Sequence, residues 1–252
     1  MSHRAGKRPN LLMLLLAALG FLCLPALFAF AHGEIVPASR RSEAAYAKTR
    51  PGLEADLAAK GLAIGSPVYL RVTKKPAQLT AYVADADGKF RAFRTWPVCS
   101  VSGTLGPKLK EGDLQAPEGF YRVTPAQMNP ASSYHLAFNL GYPNAFDRAN
   151  GRTGSFLMVH GSCVSIGCFA MTDPVIEEIW TLMQAAFESG QGAVPVHIFP
   201  FPMTEANLAA HAGDANAPFW QSLAPAWTLF DETSRVPQVK VSGKAYQVAG
   251  AQ

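Results

Sequence analysis

In the stretch "FLMVHGSCVSIGCFAMTD", residues 156–173, His160 stands eight positions ahead of Cys168, and Cys163 lies between them. An imidazole and thiols at this range can serve three chemistries. As a catalytic pair, the imidazole takes the thiol proton while sulfur attacks a carbonyl, which leaves a covalent acyl-enzyme. As metal ligands, His160, Cys163 and Cys168 supply three of the four groups structural zinc needs, and His135 or His197 would complete the set. As a cystine, Cys163 and Cys168 could close a short, weakly stabilising loop, a reversible inactive form in an oxidising compartment. Any one Cys or His can also be core filler, and Cys99 at the end of a strand reads as such.

The compartment narrows the choice. Residues 1–31 hold a basic start (Arg4, Lys7, Arg8), an apolar run over residues 11–24, and Ala29, Phe30, Ala31, a small-x-small pattern suited to signal-peptidase cleavage. This reads as a cleaved secretory signal. Gly20 and Pro25 interrupt a run already short for a bilayer, with an uncleaved anchor as the alternative. Leu22 before Cys23 is too large for a lipidation signal.

Cleavage after Ala31 removes three of the 22 Lys and Arg and none of the 18 Asp and Glu, so the mature charge falls from +4 to +1. No basic stripe for nucleic acid is left. Three cysteines remain, Cys99, Cys163 and Cys168, so at least one thiol is free or pairs between chains. A disulfide-built scaffold is excluded, and a reactive thiol comes first.

Residues 32–66 read as a lead-in with a helix in "LEADLAAKGL" that ends near Gly61 or Gly65. From Pro67 short β-branched and alternating runs predict strands, broken at Lys74, Lys75 and Pro76 and by a hairpin turn at Asp85 to Gly88. Residues 103–119 are loop-like. Strands follow at 120–123, in "SYHLAFNL" and in "SFLMVHG". Apolar residues at three- and four-residue steps predict an amphipathic helix over 174–188, with Asp173 near its cap and Gly190 past its end. "AVPVHIFPF" is another strand. Residues 204–232 are mostly helical, with Phe219, Trp220, Leu223, Trp227 and Phe230 available to pack back.

The motif therefore sits at a strand end: residues 156–159, then His160 and Gly161, a tight loop over 162–167, and Cys168. Such a place can hold a nucleophile and base together yet open to substrate. Gly167 lets the backbone turn sharply, and nearby amide N–H groups could stabilise an oxyanion.

"VHGSCVSIGCFAMTD" resembles the active-site signature of the L,D-transpeptidase (YkuD-type) catalytic domain, a His-Gly followed by Ser/Thr-x-Gly-Cys. In this chain these are His160, Gly161 and Ser165, Ile166, Gly167, Cys168. "KEGDLQAPEGFYRV", residues 110–123, resembles the family's strand entry, and "NPASSYHLAFNLGYPNAFD" resembles its YafK-like branch. The likeness spans residues 67–200, between the lead-in and a C-terminal extension over 201–252 that packs on the domain. It implies an α+β fold, mainly β: a sandwich or barrel-like catalytic domain with peripheral helices and a helical extension.

The resemblance also implies peptidoglycan stem peptides as partner, an exported enzyme of the periplasm or cell envelope, a part in cell-wall biogenesis and cell shape, and no cofactor or metal. It makes Cys168 the acyl-accepting nucleophile and His160 the base, with Gly167 and Ser165 shaping the pocket and oxyanion hole. Cys163 matches no required position, so Cys163→Ser is expected to spare most activity. Arg152, Tyr134 and His135 are weaker candidates for holding substrate carboxylates or carbonyls, each equally readable as a plain polar residue.

The sequence departs from the commoner family pattern. Only four residues separate His160 from Ser165, Ile166 fills the place of a second His, and Phe169 and Ala170 follow the Cys. The resemblance thus implies an L,D-transpeptidase that crosslinks, exchanges or attaches protein to the wall. An amidase of the same fold is the rival, one that cleaves a stem-peptide link or releases a wall-linked lipoprotein. Two further rivals are a non-catalytic wall-binding module and a cysteine peptidase of another fold, although no papain- or caspase-type signature is present.

Overall fold

Helix α1 (Arg40–Ala58) opens on a reciprocal cap: the Ser39 side chain accepts the Ser42 N–H and the Ser42 hydroxyl accepts the Ser39 N–H. The cap starts the helix well ahead of residue 53, where the sequence pattern begins. The structure, a computed structural model, describes residues 1–3 and 35–251, so the signal segment falls almost wholly outside the described residues. Among the described residues no helix is long and apolar enough to cross a membrane.

After α1 come β1 (Val68–Lys74), β2 (Ala77–Ala84), β3 (Phe90–Pro97), β4 (Ser100–Val101), β5 (Gly119–Val123), β6 (Met128–Asn129) and β7 (Ala137–Asn139). Then follow helix α2 (Ala145–Ala149), β8 (Met158–His160), β9 (Phe169–Ala170), α3 (Asp173–Glu188), β10 (Val194–Phe199), α4 (Glu205–Ala210), α5 (Ala217–Thr233), β11 (Pro237–Ser242) and β12 (Ala245–Ala251). The fold is α+β and dominated by sheet.

The main sheet runs β3-β2-β1-β10-β5, with β1 and β10 parallel and its other pairs antiparallel. All of β1 except Arg71 is buried, as expected of a strand covered on both faces. Leu70 and Val72 enter the same core as Ile176, Ile179, Trp180 and Met183 of α3, while Tyr69 on the other face packs with Tyr82, Phe230 and Val236. Trp220, Leu223 and Trp227 of α5 meet Phe199, Phe201 and Met203 in a second cluster. The predicted helix over 174–188 is α3, one residue longer at its start. The hairpin of β11 and β12, turning at Gly243, has no counterpart among the strands expected from sequence.

The second sheet runs β4-β9-β8-β7-β6 and carries the motif. Its Phe138, Val159 and Phe169 share the core with the main sheet and α3. A buried ion pair pins the long loop ahead of β5: Lys74 meets Glu118 at 3.1 Å, and Glu118 also accepts the Gly106 and Trp220 N–H groups at 2.7 and 2.8 Å. Each of these charges needs that full set of partners, because an unpaired buried charge is costly.

Candidate active site

Strands β8 and β9 are parallel neighbours, with Val159 opposite Phe169 and His160 opposite Ala170. Cys168, just before β9, therefore stands two residues back from the partner of His160, about 6.6 Å along the strands. His160 ends β8 and is buried, whereas Cys168 is half-buried and carries a free thiol. The imidazole Nδ1 lies 2.6 Å from the Gly161 carbonyl oxygen. A carbonyl only accepts, so Nδ1 carries the hydrogen and Nε2 keeps its lone pair, the tautomer a general base needs.

Burial lowers the His160 pKa, and the Gly161 carbonyl opposes that shift. Burial pushes the Cys168 thiol up, opposed by the Met158 N–H and the charge of Lys108. Both groups are thus neutral at rest, so a thiol attack from this site would need proton transfer alongside it. The thiol donates toward the Phe156 carbonyl at 3.8 Å and accepts the Met158 N–H at 3.4 Å, and it makes no hydrogen bond to the imidazole. Catalytic contacts of this kind commonly tighten only around substrate.

The intervening loop is held at several points. Gly161 donates its N–H to the Tyr134 carbonyl at 3.0 Å, and Ser162 donates its own to Asp173 Oδ1 at 2.8 Å. A Cβ on Gly161 would meet Asp173 Oδ1 at 2.5 Å, His135 Cβ at 3.0 Å and the Tyr134 carbonyl at 3.1 Å, so any larger residue would displace the Asp173 carboxylate that braces the loop. Ser162 and Cys163 both have left-handed φ, 66° and 48°, a local cost that outside partners must offset. Ser165 Oγ donates to the Cys168 carbonyl at 2.7 Å and accepts the Gly167 N–H at 3.3 Å, so it shapes the turn into the thiol. Gly167 has φ 135°, a conformation that favours glycine.

One pairing corrects the sequence reading. Cys99 is not core filler, and Cys163 does not pair with Cys168: Cys99 and Cys163 form a disulfide with their Cα atoms 5.3 Å apart. Cys99 comes within reach because its N–H bonds the Ala170 carbonyl, beside the thiol loop. The ligands a zinc site would use are dispersed: Cys163 is in the disulfide, His135 Nε2 contacts Glu177 at 2.9 Å, and His197 Nδ1 contacts Tyr69 at 3.2 Å.

The weaker candidates separate. The Arg152 guanidinium pairs with buried Asp147 at 2.8 Å and lies over the Phe146 and Phe219 rings, a structural commitment. The Tyr134 ring lies 4.7 Å from that of His160 and is 44% exposed, so it walls the site. His135 sits between Glu177 and Asp173.

Sequence reasoning missed Lys108, whose buried ammonium acts on the thiol while paired with Asp113, and also the loop-bracing Asp173 carboxylate. Neither lies in a motif. Near Cys168 in the chain, Phe156, Val164 and Ile166 are exposed apolar residues, Phe156 at 73% and Ile166 at 76%, and Leu114 on the loop ahead of β5 is exposed as well. Leu114 and Phe156 also have left-handed φ, 55° and 52°, unusual for bulky residues.

The YkuD family, the L,D-transpeptidase catalytic domain, matches residues 67–198. Over 186 residues the chain is 42% identical to "Putative L,D-transpeptidase YafK" of Escherichia coli strain K12, covering 74% of this chain and 75% of that protein. Among solved structures, the helical cell shape determining protein Pgp2 from Campylobacter jejuni aligns with a TM-score of 0.42 at 22% identity, covering 76% of this chain and 80% of that one. Bd1075 from Bdellovibrio bacteriovorus aligns with a TM-score of 0.37 at 22% identity, over 66% and 60%.

Proposed function

Because the chain belongs to the L,D-transpeptidase (YkuD) family, whose members act on peptidoglycan stem peptides, we propose that it transfers acyl groups between such peptides through a Cys168 thioester. The observation that carries this reading is the one free thiol among the described residues, set beside a base-competent imidazole on the neighbouring strand. Cys168 Sγ attacks the carbonyl of a meso-diaminopimelate or similar residue at an L,D bond, and His160 Nε2 takes the thiol proton. Amide N–H groups at the turn into Cys168, other than the Gly167 N–H that Ser165 Oγ accepts, stabilise the oxyanion. As the intermediate collapses, His160 returns the proton to the departing amine and the thioester remains. An acceptor amine then attacks, His160 takes its proton, and the thiol is regenerated.

With a second stem peptide or a protein amine as acceptor, the product is a crosslink, an exchanged terminal residue or a wall-attached protein. The enzyme works in the periplasm or cell envelope after export. A second reading has water as the acceptor, giving an amidase that removes a stem-peptide link or frees a wall-linked lipoprotein. The short apolar loop favours it: Ile166 fills the place of a second His, and Phe169 and Ala170 follow Cys168 where the commoner family pattern is polar.

The test is mass spectrometry of crosslinked and protein-linked muropeptides incubated with the protein and with Cys168→Ala. New Cys168-dependent crosslinks or exchanged residues support the transpeptidase. Loss of existing links with gain of water supports the amidase, and no change in any substrate removes both in favour of a binding module.

A further inference from the structure

Helix α1 precedes the residues matched by the family and contributes no group to the chemistry, yet it grips the segment that walls His160. Arg41 Nη1 donates to the Ser132 carbonyl at 2.9 Å and to the His135 carbonyl at 2.6 Å. Those acceptors bracket Tyr134, two positions before it and one after. Ser39 Oγ adds a bond to the Pro130 carbonyl at 2.9 Å. Lys48 meets Glu177 Oε2 at 2.7 Å, and the other Glu177 oxygen contacts His135 Nε2 at 2.9 Å.

This segment needs outside support. His135 has φ 65°, a left-handed conformation that is uncommon for a residue with a side chain and that persists only where the surroundings impose it. Arg41 and Glu177 are those surroundings. What they hold in place is Tyr134, whose carbonyl accepts the Gly161 N–H at 3.0 Å and whose ring lies 4.7 Å from the imidazole of His160, the planes inclined by 33°.

We propose that Arg41 is a positioning residue for His160, acting through Tyr134: its guanidinium fixes the backbone around Tyr134, and the tyrosine ring holds the imidazole with Nδ1–H on the Gly161 carbonyl and Nε2 toward the thiol. The value of this to turnover rests on the reading of His160 as base. Without the bracket, the ring moves, water reaches the imidazole, and Nδ1 and Nε2 compete for the hydrogen.

The experiment is a double-mutant cycle on the purified protein with Arg41→Ala, Tyr134→Ala and both together, read by NMR titration of the His160 imidazole and by its tautomer. The parent should show the Nδ1–H tautomer and a pKa below 6.5. Arg41→Ala should mix the tautomers, raise the pKa toward 6.5 and lower kcat about 10-fold with little change in KM. Arg41→Lys, which can still donate to both carbonyls, should restore most of this. The double variant should match Tyr134→Ala alone.

An unchanged His160 tautomer and pKa in folded Arg41→Ala would overturn the proposal, as would effects of the two substitutions that simply add. Should Arg41→Ala not fold, Arg41→Gln, too short to hold both the Ser132 and His135 carbonyls, takes its place, and an unchanged His160 tautomer and pKa in that folded variant would overturn the proposal. Full turnover by His160→Ala would instead remove the base reading, which the NMR arms do not depend on.

Discussion

Cys99 and Cys163, 64 positions apart, are joined by a disulfide whose two halves hang from one short segment: the Cys99 N–H bonds the Ala170 carbonyl and the Cys163 N–H bonds the Met171 carbonyl. That segment follows directly on Cys168. The bridge therefore fastens the loop between His160 and Cys168 to the end of β3, and it leaves Cys168 as the free thiol among the described residues.

Cross-linking a loop of this length stabilises the native state by about 4 kcal/mol on the chain-entropy estimate. Cys163→Ser and Cys99→Ser should therefore lower the melting temperature by the same amount as each other, and a reductant should do so in the parent alone. Turnover measured well below the lowered midpoint should stay within about 10-fold of the parent. Unequal losses in thermal melts of the two variants would show that the cysteines do not act as a pair.

Cys168→Ala should lower turnover by at least about a thousand-fold while the melting temperature hardly moves, because it removes the attacking atom from a half-buried site. Thiol titration of the native protein beginning at residue 32, which lacks Cys23, should give one reactive group, and none in the variant. A second titrating thiol would contradict the Cys99–Cys163 pairing.

Gly161 is closed in by Asp173 Oδ1, His135 Cβ and the Tyr134 carbonyl, so Gly161→Ala must displace the Asp173 carboxylate and crowd the segment beside His160. The expected cost is about 1–3 kcal/mol of stability, with a fall in kcat. Gly52, on α1 with nothing within 4 Å of an added Cβ, is the control: Gly52→Ala should stabilise by about 0.5–1 kcal/mol and leave kcat alone. Equal effects at the two positions in paired melting and rate measurements would refute the close fit around Gly161.

The strands around the motif and helix α3 were legible in sequence because their apolar periodicity matches their burial. Helix α1 was only half legible: its start buries Ser42 and Ala45, which mark no apolar face, and Pro51 inside it reads as a break. At the site, His160, Gly167 and Cys168 could be found as a local motif. The Cys99 bridge and the Lys108 charge could not, and Tyr134 could be named only as a weaker candidate, since each reaches the motif through strand pairing or loop packing that local spacing does not encode. Arg152, readable in sequence either as a substrate-binding cation or as a plain polar residue, is the partner of buried Asp147.

With both groups neutral at rest, kcat/KM should rise with pH as His160 loses its proton, at a pH below the ordinary 6.5 because burial lowers that pKa. It should then stay level until the thiol ionises, which burial delays. A kcat/KM profile whose acid limb lies above pH 6.5 would contradict the buried, neutral imidazole.

His197 makes stability fall with acid at a higher pH than the lowered carboxylates Asp113 and Glu177 do. It is buried against Tyr69 and Phe120, and burial followed by the nearby Arg71 charge lowers its pKa from 6.5 to about 3. The unfolded chain therefore binds a proton that the folded chain refuses. Its contribution is fully present above pH 6.5 and is lost as the pH falls toward 3, with a slope on the order of 1.4 kcal/mol per pH unit. His197→Gln, which still offers Tyr69 a hydrogen-bonding partner, should unfold less steeply between about pH 6 and pH 4 in urea titrations than the parent does. Parallel curves for the two proteins would mean that another group carries the acid sensitivity, since a residue that cannot titrate has no proton to take up on unfolding.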